Sequence, residues 1–121
     1  MLVGIISDTH DNLPAVEAAA RLEMPALAVT DHNSLAGAVR FYRAARQAGI
    51  KPIIGCELYV APGSRFEKTG TVKDHDESFY HLILLARDKQ GYRNLVKLVT
   101  AAYLALVYAA KRWFFERYRL G

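Results

Sequence analysis

The fold is decided by residues 26–60, which read ALAVTDHNSLAGAVRFYRAARQAGIKPIIGCELYV. The apolar runs over 26–30 and 50–60 are each typical of a buried strand. Between them Ser34 offers a helix N-cap, the apolar positions recur with the helical period, and Gly49 is placed to end the helix. A strand, a helix and a second strand joined by short loops predict two parallel strands with a right-handed crossover.

Similar patterns lie on both sides of this unit. They predict a strand over 2–7, a helix over 13–22, a strand over 80–86 and a long final helix that Asp88 caps near residue 90. Residues 61–78, which are rich in Gly, Ser, Lys and Asp, predict a loop. The expected fold class is therefore α/β: a parallel β-sheet of about four strands with flanking helices and a long C-terminal helix.

Composition limits the class of protein. The 121 residues suit a single domain over 1–121, and a hydrophobic content of 52% excludes a collagen-like or disordered chain. The single cysteine, Cys56, rules out an internal disulfide and suits a reducing compartment. The first strand follows Met1 without a basic leader, so we expect no secretory signal and a cytoplasmic location.

Positive charge is concentrated at the C-terminal end. Residues 87–121 hold eight Lys/Arg and two Asp/Glu, whereas residues 1–86 hold eight basic and ten acidic residues. The tail is therefore a candidate nucleic-acid-binding segment, with a solvated helix face as the alternative. Its candidate contact residues are Lys111, Arg112, Arg117 and Arg119.

Residues 98–110 of the predicted final helix carry no charge. This run is too short for a bilayer, which needs about 20 apolar residues, so no transmembrane span is predicted. A helix that is apolar on every side favours burial against a partner. The candidates are the rest of the domain, a second copy of the chain packed through this helix, or a membrane surface, which is the least favoured.

Acidic and imidazole side chains gather at the predicted strand ends. Ligands of parallel α/β sheets bind beyond the carboxyl ends of the strands. Nitrogen and oxygen donors there suit divalent ions such as Zn²⁺, Mn²⁺ or Mg²⁺, and two such ions about 3.5–4 Å apart bind a phosphoester and activate water. We predict Asp8 and Asp31 as catalytic residues and, as metal ligands, His10, His32, Glu57 and His81.

Each of these side chains also has an ordinary structural explanation, which these patterns leave open. The explanations are a turn before the first helix for Asp8 and His10, an Asx turn for Asp31 and His32, a strand carboxylate for Glu57 and a hydrogen-bonded histidine for His81. The fourth histidine, His75, lies in Lys-Asp-His-Asp-Glu and is predicted to be a solvated loop residue.

Three stretches carry a resemblance to a known family: Met24-Pro-Ala-Leu-Ala-Val-Thr-Asp-His32, Gly49-Ile-Lys-Pro-Ile-Ile-Gly-Cys-Glu57 and Tyr80-His-Leu-Ile-Leu-Leu-Ala86. With their surroundings, over residues 24–104, they closely resemble the PHP (polymerase and histidinol phosphatase) domain that opens bacterial DNA polymerase III α subunits. The resemblance implies part of a distorted (β/α)7 barrel with a metal cluster at the carboxyl ends of its strands.

Carried over by position, the resemblance implies that His32, Glu57 and His81 bind metal and that Asp31 lines the site. It also implies phosphoester hydrolysis, with 3′–5′ exonuclease activity in some members and a structural role in others, and other DNA polymerase regions as partners. We therefore expect a metal-binding, phosphoesterase-like PHP domain. A non-catalytic structural or engineered α/β domain is the alternative.

The sequence departs from the family at both ends. The family's His-x-His pair on the first strand is missing, and residues 4–18 instead resemble the opening of calcineurin-like metallophosphoesterases, whose Asp-x-His pair, here Asp8 and His10, binds the first metal. The family pattern ends near residue 105, so we expect a truncated barrel without a polymerase catalytic domain. We expect a chimera joined near residues 18–24, with segments 1–23, 24–104 and 105–121.

Overall fold

A computed structural model describes residues 2–7, 13–60 and 80–117, the last thirteen of these as helical backbone only. Along the chain, strands and helices alternate until β3, after which two strands follow each other. The elements are β1 (Val3–Ile6), α1 (Leu13–Arg21), β2 (Ala26–His32), α2 (Ala38–Gln47), β3 (Lys51–Val60), β4 (Tyr80–Leu85) and α3 (Lys89–Arg117).

The four strands form one sheet in the order β1-β2-β3-β4. β1, β2 and β3 are parallel, as predicted, but β4 runs antiparallel to β3, with Val60 paired to Tyr80. The prediction of a purely parallel sheet was therefore wrong. A parallel pair needs a crossover of about a dozen residues, usually helical, and residues 61–78 carry no helical pattern.

Helix α2 begins later than predicted. It starts at Ala38 rather than just after Ser34, whose hydroxyl oxygen instead accepts a hydrogen bond from the Ala36 N–H at 3.2 Å in the preceding turn. The C-terminal end agrees with the prediction, because Gly49 has a φ of +74° and the Ile50 N–H returns to the Ala45 carbonyl at 2.9 Å. Together with the bond from the Gly49 N–H to the Arg46 carbonyl at 3.2 Å, this bond forms a Schellman motif, which satisfies carbonyl groups that a helix end leaves free.

Helix α1 ends in the same way without a glycine. Glu23 has a φ of +52°, and the N–H groups of Glu23 and Met24 donate to the carbonyls of Ala20 and Ala19 at 3.0 Å each. A left-handed conformation is costly for a residue with a Cβ, so Glu23 is a strained position. The start of α3 is capped as predicted, since Asp88 Oδ1 accepts a hydrogen bond from the Gly91 N–H at 2.9 Å.

All three helices pack on one face of the sheet. Leu27 and Val29 of β2 contact buried residues of α1 and α2, among them Val16 and Phe41. A second cluster joins β3 to α3 through Cys56, Leu58, Leu95 and Val99. Within the described ranges, no helix combines the length and hydropathy needed to cross a membrane.

The opposite face of the sheet carries polar and exposed apolar side chains. Successive strand residues point to opposite faces, so the register places His32 and Glu57 on the face away from the helices. Ile5, Ile83 and Leu85 are each more than half exposed there. A sheet with helices on one face and none of these three on the other agrees with part of a β/α barrel, in which the helices form the outer layer.

Candidate metal centre

Three strands bring His32, Glu57 and His81 to one place on the sheet. His32 is the last residue of β2 and pairs in register with Glu57 of β3. His81 is the second residue of β4 and pairs with Tyr59, two residues beyond Glu57 and on the same face. Because β4 is antiparallel, its beginning lies at the edge where β2 and β3 end. A parallel β4 would have placed His81 at the opposite edge.

The carboxylate of Glu57 lies between the two imidazoles. One donor atom from each of the three residues lies within 4.8 Å of the others. Nδ1 of His32 is 3.3 Å from Oε2 of Glu57, and Nδ1 of His81 is hydrogen-bonded to Oε1 of the same carboxylate. The three side chains therefore form a single contact group, although residues 32 and 81 lie far apart along the chain.

Glu57 is held in its anionic form. The hydrogen bond with His81 is the main cause that lowers the pKa of the Glu57 carboxyl below its usual value; burial opposes it, and the charges of His32 and His81 lower the pKa further. The side chain of Glu57 is 12% exposed, whereas those of His32 and His81 are 41% and 59% exposed. A shielded carboxylate is thus flanked by two accessible imidazoles.

This donor set fits a divalent cation. Two imidazoles and a carboxylate form a known catalytic zinc ligand set, in which three protein ligands leave a position for water or substrate. Ligand bonds of about 2.1 Å in a tetrahedron separate the ligand atoms by about 3.4 Å. Spacings within 4.8 Å are close to that requirement, so small side-chain rotations of His32, Glu57 and His81 would complete it.

Asp31 is not part of this group. It precedes His32 in β2, and its side chain therefore points to the helix-covered face. Its negative charge acts there on Cys56, whose thiol pKa is raised first by burial and further by the charges of Asp31 and Glu57. The structure thus does not bring Asp31 together with the three donors, and its catalytic role stays a prediction.

The other predicted site residues stay predictions. Asp8 and His10 lie outside the described residues, as does Arg119. The backbone of α3 includes Lys111, Arg112 and Arg117, but their side chains lie outside the described part of the structure.

Two residues beside the site were missed by the sequence analysis. Asn33, directly after His32, has a φ of +46° and donates its N–H to the Glu57 carbonyl at 2.7 Å. The ring of Tyr59 meets the ring of His81 edge to face, with centroids 4.8 Å apart. An available signal was the asparagine itself, because Asn is enriched where a backbone turns to positive φ.

Comparison with known proteins identifies the family. The PHP domain profile matches residues 7–120, and the match starts before the junction predicted near residues 18–24. DNA polymerase III subunit alpha of Chlamydia trachomatis is 52% identical over 97 residues, covering 80% of this chain and 8% of that protein. The Thermus aquaticus subunit is 52% identical over 90 residues, covering 74% of this chain and 7% of that protein, and the Aquifex aeolicus subunit is 49% identical over 81 residues, covering 64% and 7%. The chain spans less than a tenth of the length of these relatives. It belongs to the PHP domain family.

Proposed function

We propose that this PHP domain binds a divalent cation through His32, Glu57 and His81. The observation that supports the proposal is the meeting of their donor atoms within 4.8 Å from three different strands. Each residue taken alone has an ordinary structural explanation. Two imidazoles around one carboxylate on an open sheet face form a combination that suits Zn²⁺ or Mn²⁺.

The reaction class that we propose is phosphoester hydrolysis. A bound divalent ion supplies positive charge that polarises a phosphoryl oxygen. The chain's own contribution is to hold Glu57 anionic and to leave His32 and His81 open to a ligand, since their side chains are 41% and 59% exposed. Asp8 is the proposed residue for proton transfer, on the strength of its sequence position after the first strand.

A metal titration tests the binding proposal. A ligand that binds only the folded state at about 100 times its Kd stabilises that state by about 2.7 kcal/mol. We therefore expect Zn²⁺ or Mn²⁺ to raise the melting temperature of the full chain by several degrees, and His32→Ala to abolish the rise. Glu17→Ala is the control, because it removes an exposed carboxylate on α1 that is not one of the three donors. No rise in the wild-type chain would refute the proposal.

The basic end of α3 supports a second proposed function, the binding of nucleic acid. The helix continues to Arg117, and residues 87–121 hold eight Lys/Arg and two Asp/Glu. The relatives named above are DNA polymerase subunits, so nucleic acid or another polymerase region is the proposed partner. Affinity for a DNA duplex should fall steeply with salt and be lost on removal of residues 111–121. Unchanged binding after that removal would exclude the proposal.

Three further proposals concern the origin of the N-terminal segment, the location of the protein and its self-association. We propose that residues 1–23 form a calcineurin-like metallophosphoesterase segment, that His10 adds a ligand from it, and that the chain is a chimera of that segment with a PHP segment. We also propose a cytoplasmic location, in line with the DNA polymerase relatives, and self-association through the C-terminal helix. Analytical ultracentrifugation with and without residues 105–121 tests the last of these.

A further inference from the structure

Asn33 stands where β2 leaves the sheet beside the candidate metal centre. Its φ of +46° turns the backbone out of the strand directly after His32. Asparagine tolerates the left-handed region better than most residues because its short amide side chain makes local hydrogen bonds. The direction of the chain after His32 therefore depends on the residue at position 33.

Asn33 nevertheless extends the pairing of β2 with β3 by one residue. In a regular parallel ladder, a residue donates its N–H to one partner residue and accepts, through its carbonyl, from the N–H two residues further on. The Asn33 N–H donates to the Glu57 carbonyl at 2.7 Å, and the Tyr59 N–H donates to Asn33 Oδ1 at 3.3 Å. The side-chain oxygen thus takes the place of a backbone carbonyl.

Tyr59, whose N–H donates to the Asn33 side chain, also contacts His81. The rings of Tyr59 and His81 meet at an interplanar angle of 75°, and the two residues are cross-strand partners in β3 and β4. On its other side His81 is hydrogen-bonded to Glu57. The imidazole is therefore held between an aromatic ring and a carboxylate, and the backbone of the aromatic residue is tied to Asn33.

We propose that Asn33 is a positioning residue of the metal centre, which acts through Tyr59 on the ring of His81. The inference rests on the function proposed above and extends it to residues that do not themselves bind the ion. Partners of this outer kind set the orientation of a ligand before the ion arrives, and their loss costs about 10–100-fold in metal affinity. Asn33 is hydrogen-bonded to the backbone of two residues at the site: its N–H donates to the Glu57 carbonyl, and its side-chain oxygen accepts from the Tyr59 N–H.

Substitutions at position 33 separate the turn from the hydrogen bond. Asn33→Gly keeps a backbone suited to positive φ but removes the acceptor, and we expect the Kd of the full chain for Zn²⁺ to rise about 10–100-fold. Asn33→Asp keeps both the turn and the acceptor, and should bind Zn²⁺ at least as tightly as the wild-type chain. Gly49→Ala, remote from the site, destabilises the fold and should leave the Kd unchanged. Competition with a chromophoric chelator measures all four Kd values.

Substitutions at position 59 test the second link. Tyr59→Leu removes the ring that meets His81, whereas Tyr59→Phe keeps it, so only the leucine variant should lose affinity. The ring protons of His81 give a readout without metal, because a neighbouring aromatic ring shifts their NMR resonances. These resonances should move in Tyr59→Leu and in Asn33→Gly, and should stay in place in Gly49→Ala.

The outcomes distinguish this inference from the proposed function. A wild-type chain that binds no Zn²⁺ overturns the proposed function, and the His81 resonances then decide whether Asn33 acts through Tyr59. Equal Kd values for the wild-type chain and Asn33→Gly overturn the inference, and so do unmoved His81 resonances in that variant. If Asn33→Gly does not fold, Asn33→Ala, which also removes the acceptor, takes its place in both measurements, and equal Kd values for Tyr59→Leu and Tyr59→Phe overturn the inference.

Discussion

Glu57 and His81 meet across two antiparallel strands, through the carboxylate Oε1 of one and the imidazole Nδ1 of the other. The contact joins residues 24 positions apart in the chain and lies on the face of the sheet away from the helices. It sets both the charge of Glu57 and the orientation of His81.

Removing the charge of Glu57 should abolish metal binding. Glu57→Gln keeps the size of the side chain and one oxygen acceptor but removes the anionic ligand between the two imidazoles. Loss of a residue that only orients a metal ligand already lowers metal affinity about 10–100-fold. Because Glu57 is itself a proposed ligand, we expect its substitution to raise the Kd for Zn²⁺ by more than about 100-fold. Isothermal titration calorimetry measures it. Glu17→Gln, on the exposed side of α1, is the matched control and should bind like the wild-type chain.

The lowered pKa of Glu57 predicts how stability depends on pH in the metal-free chain. A carboxyl whose pKa is lower in the folded state than the unfolded value of about 4.3 stabilises the fold above that value. This contribution is lost as the pH falls through the folded-state pKa. Urea midpoints of the wild-type chain and Glu57→Gln should therefore differ most at neutral pH and converge in acid. A difference that widens in acid contradicts the assignment.

Two left-handed residues at helix ends should respond to substitution in opposite directions. Glu23→Gly relieves a strained positive φ and should stabilise the fold by about 1 kcal/mol. Gly49→Ala should destabilise it by a similar amount through the backbone alone, because an added Cβ there meets no described atom within 4 Å. Thermal unfolding followed by circular dichroism measures both. Equal melting temperatures for Glu23→Gly and the wild-type chain would argue against strain at Glu23.

Gly55 lets β4 approach β3 closely enough to form the site. A Cβ at Gly55 would lie 2.7 Å from the Leu84 carbonyl oxygen, 2.6 Å from Leu85 and 3.1 Å from Thr30. Since the carbonyl belongs to the backbone of β4, Gly55→Ala should displace that strand, destabilise the fold by about 1–3 kcal/mol and weaken Zn²⁺ binding through His81.

The matched control for this variant is Gly4→Ala. The nearest atoms that a Cβ at Gly4 would meet belong to the flexible side chains of Leu27 and Met24, at 2.7 Å and 3.1 Å. We therefore expect a smaller loss of stability and an unchanged Kd for Zn²⁺. Chemical denaturation and the same calorimetric titration compare the two variants. A larger effect from Gly4→Ala on metal binding would contradict the role given to Gly55.

The sequence predicted the elements of the fold better than the direction of the last strand. Apolar runs mark buried strands, and Gly49 and Asp88 mark helix ends, because these signals are local. Strand direction is not local, since the apolar pattern of 80–86 is the same whichever way the strand runs. Only the connection before it carried information, and its composition predicts a loop rather than a crossover helix.

The candidate site was predictable in its ligands but not in its supports. Imidazoles and carboxylates near strand ends are conspicuous in a sequence, so it predicted that His32, Glu57 and His81 would lie together, and their donor atoms do meet within 4.8 Å. The position of Asp31 relative to these donors was not predictable from its place at a strand end, because adjacent strand residues face opposite sides of a sheet. Asn33 could not be found from spacing, because its role depends on a positive φ and on a partner 26 residues away.

The antiparallel pairing of Val60 with Tyr80 has a consequence for how such domains diverge. Because these two residues are neighbours in space, the segment between them starts and finishes at nearly the same point. In general, each doubling of the length of a loop adds only about 0.6 kcal/mol to the cost of closing it. Insertions and deletions there leave the distance from Glu57 to His81 intact. The number of residues between Glu57 and His81 is therefore weakly constrained by the site, because strand pairing rather than chain length brings the two donors together.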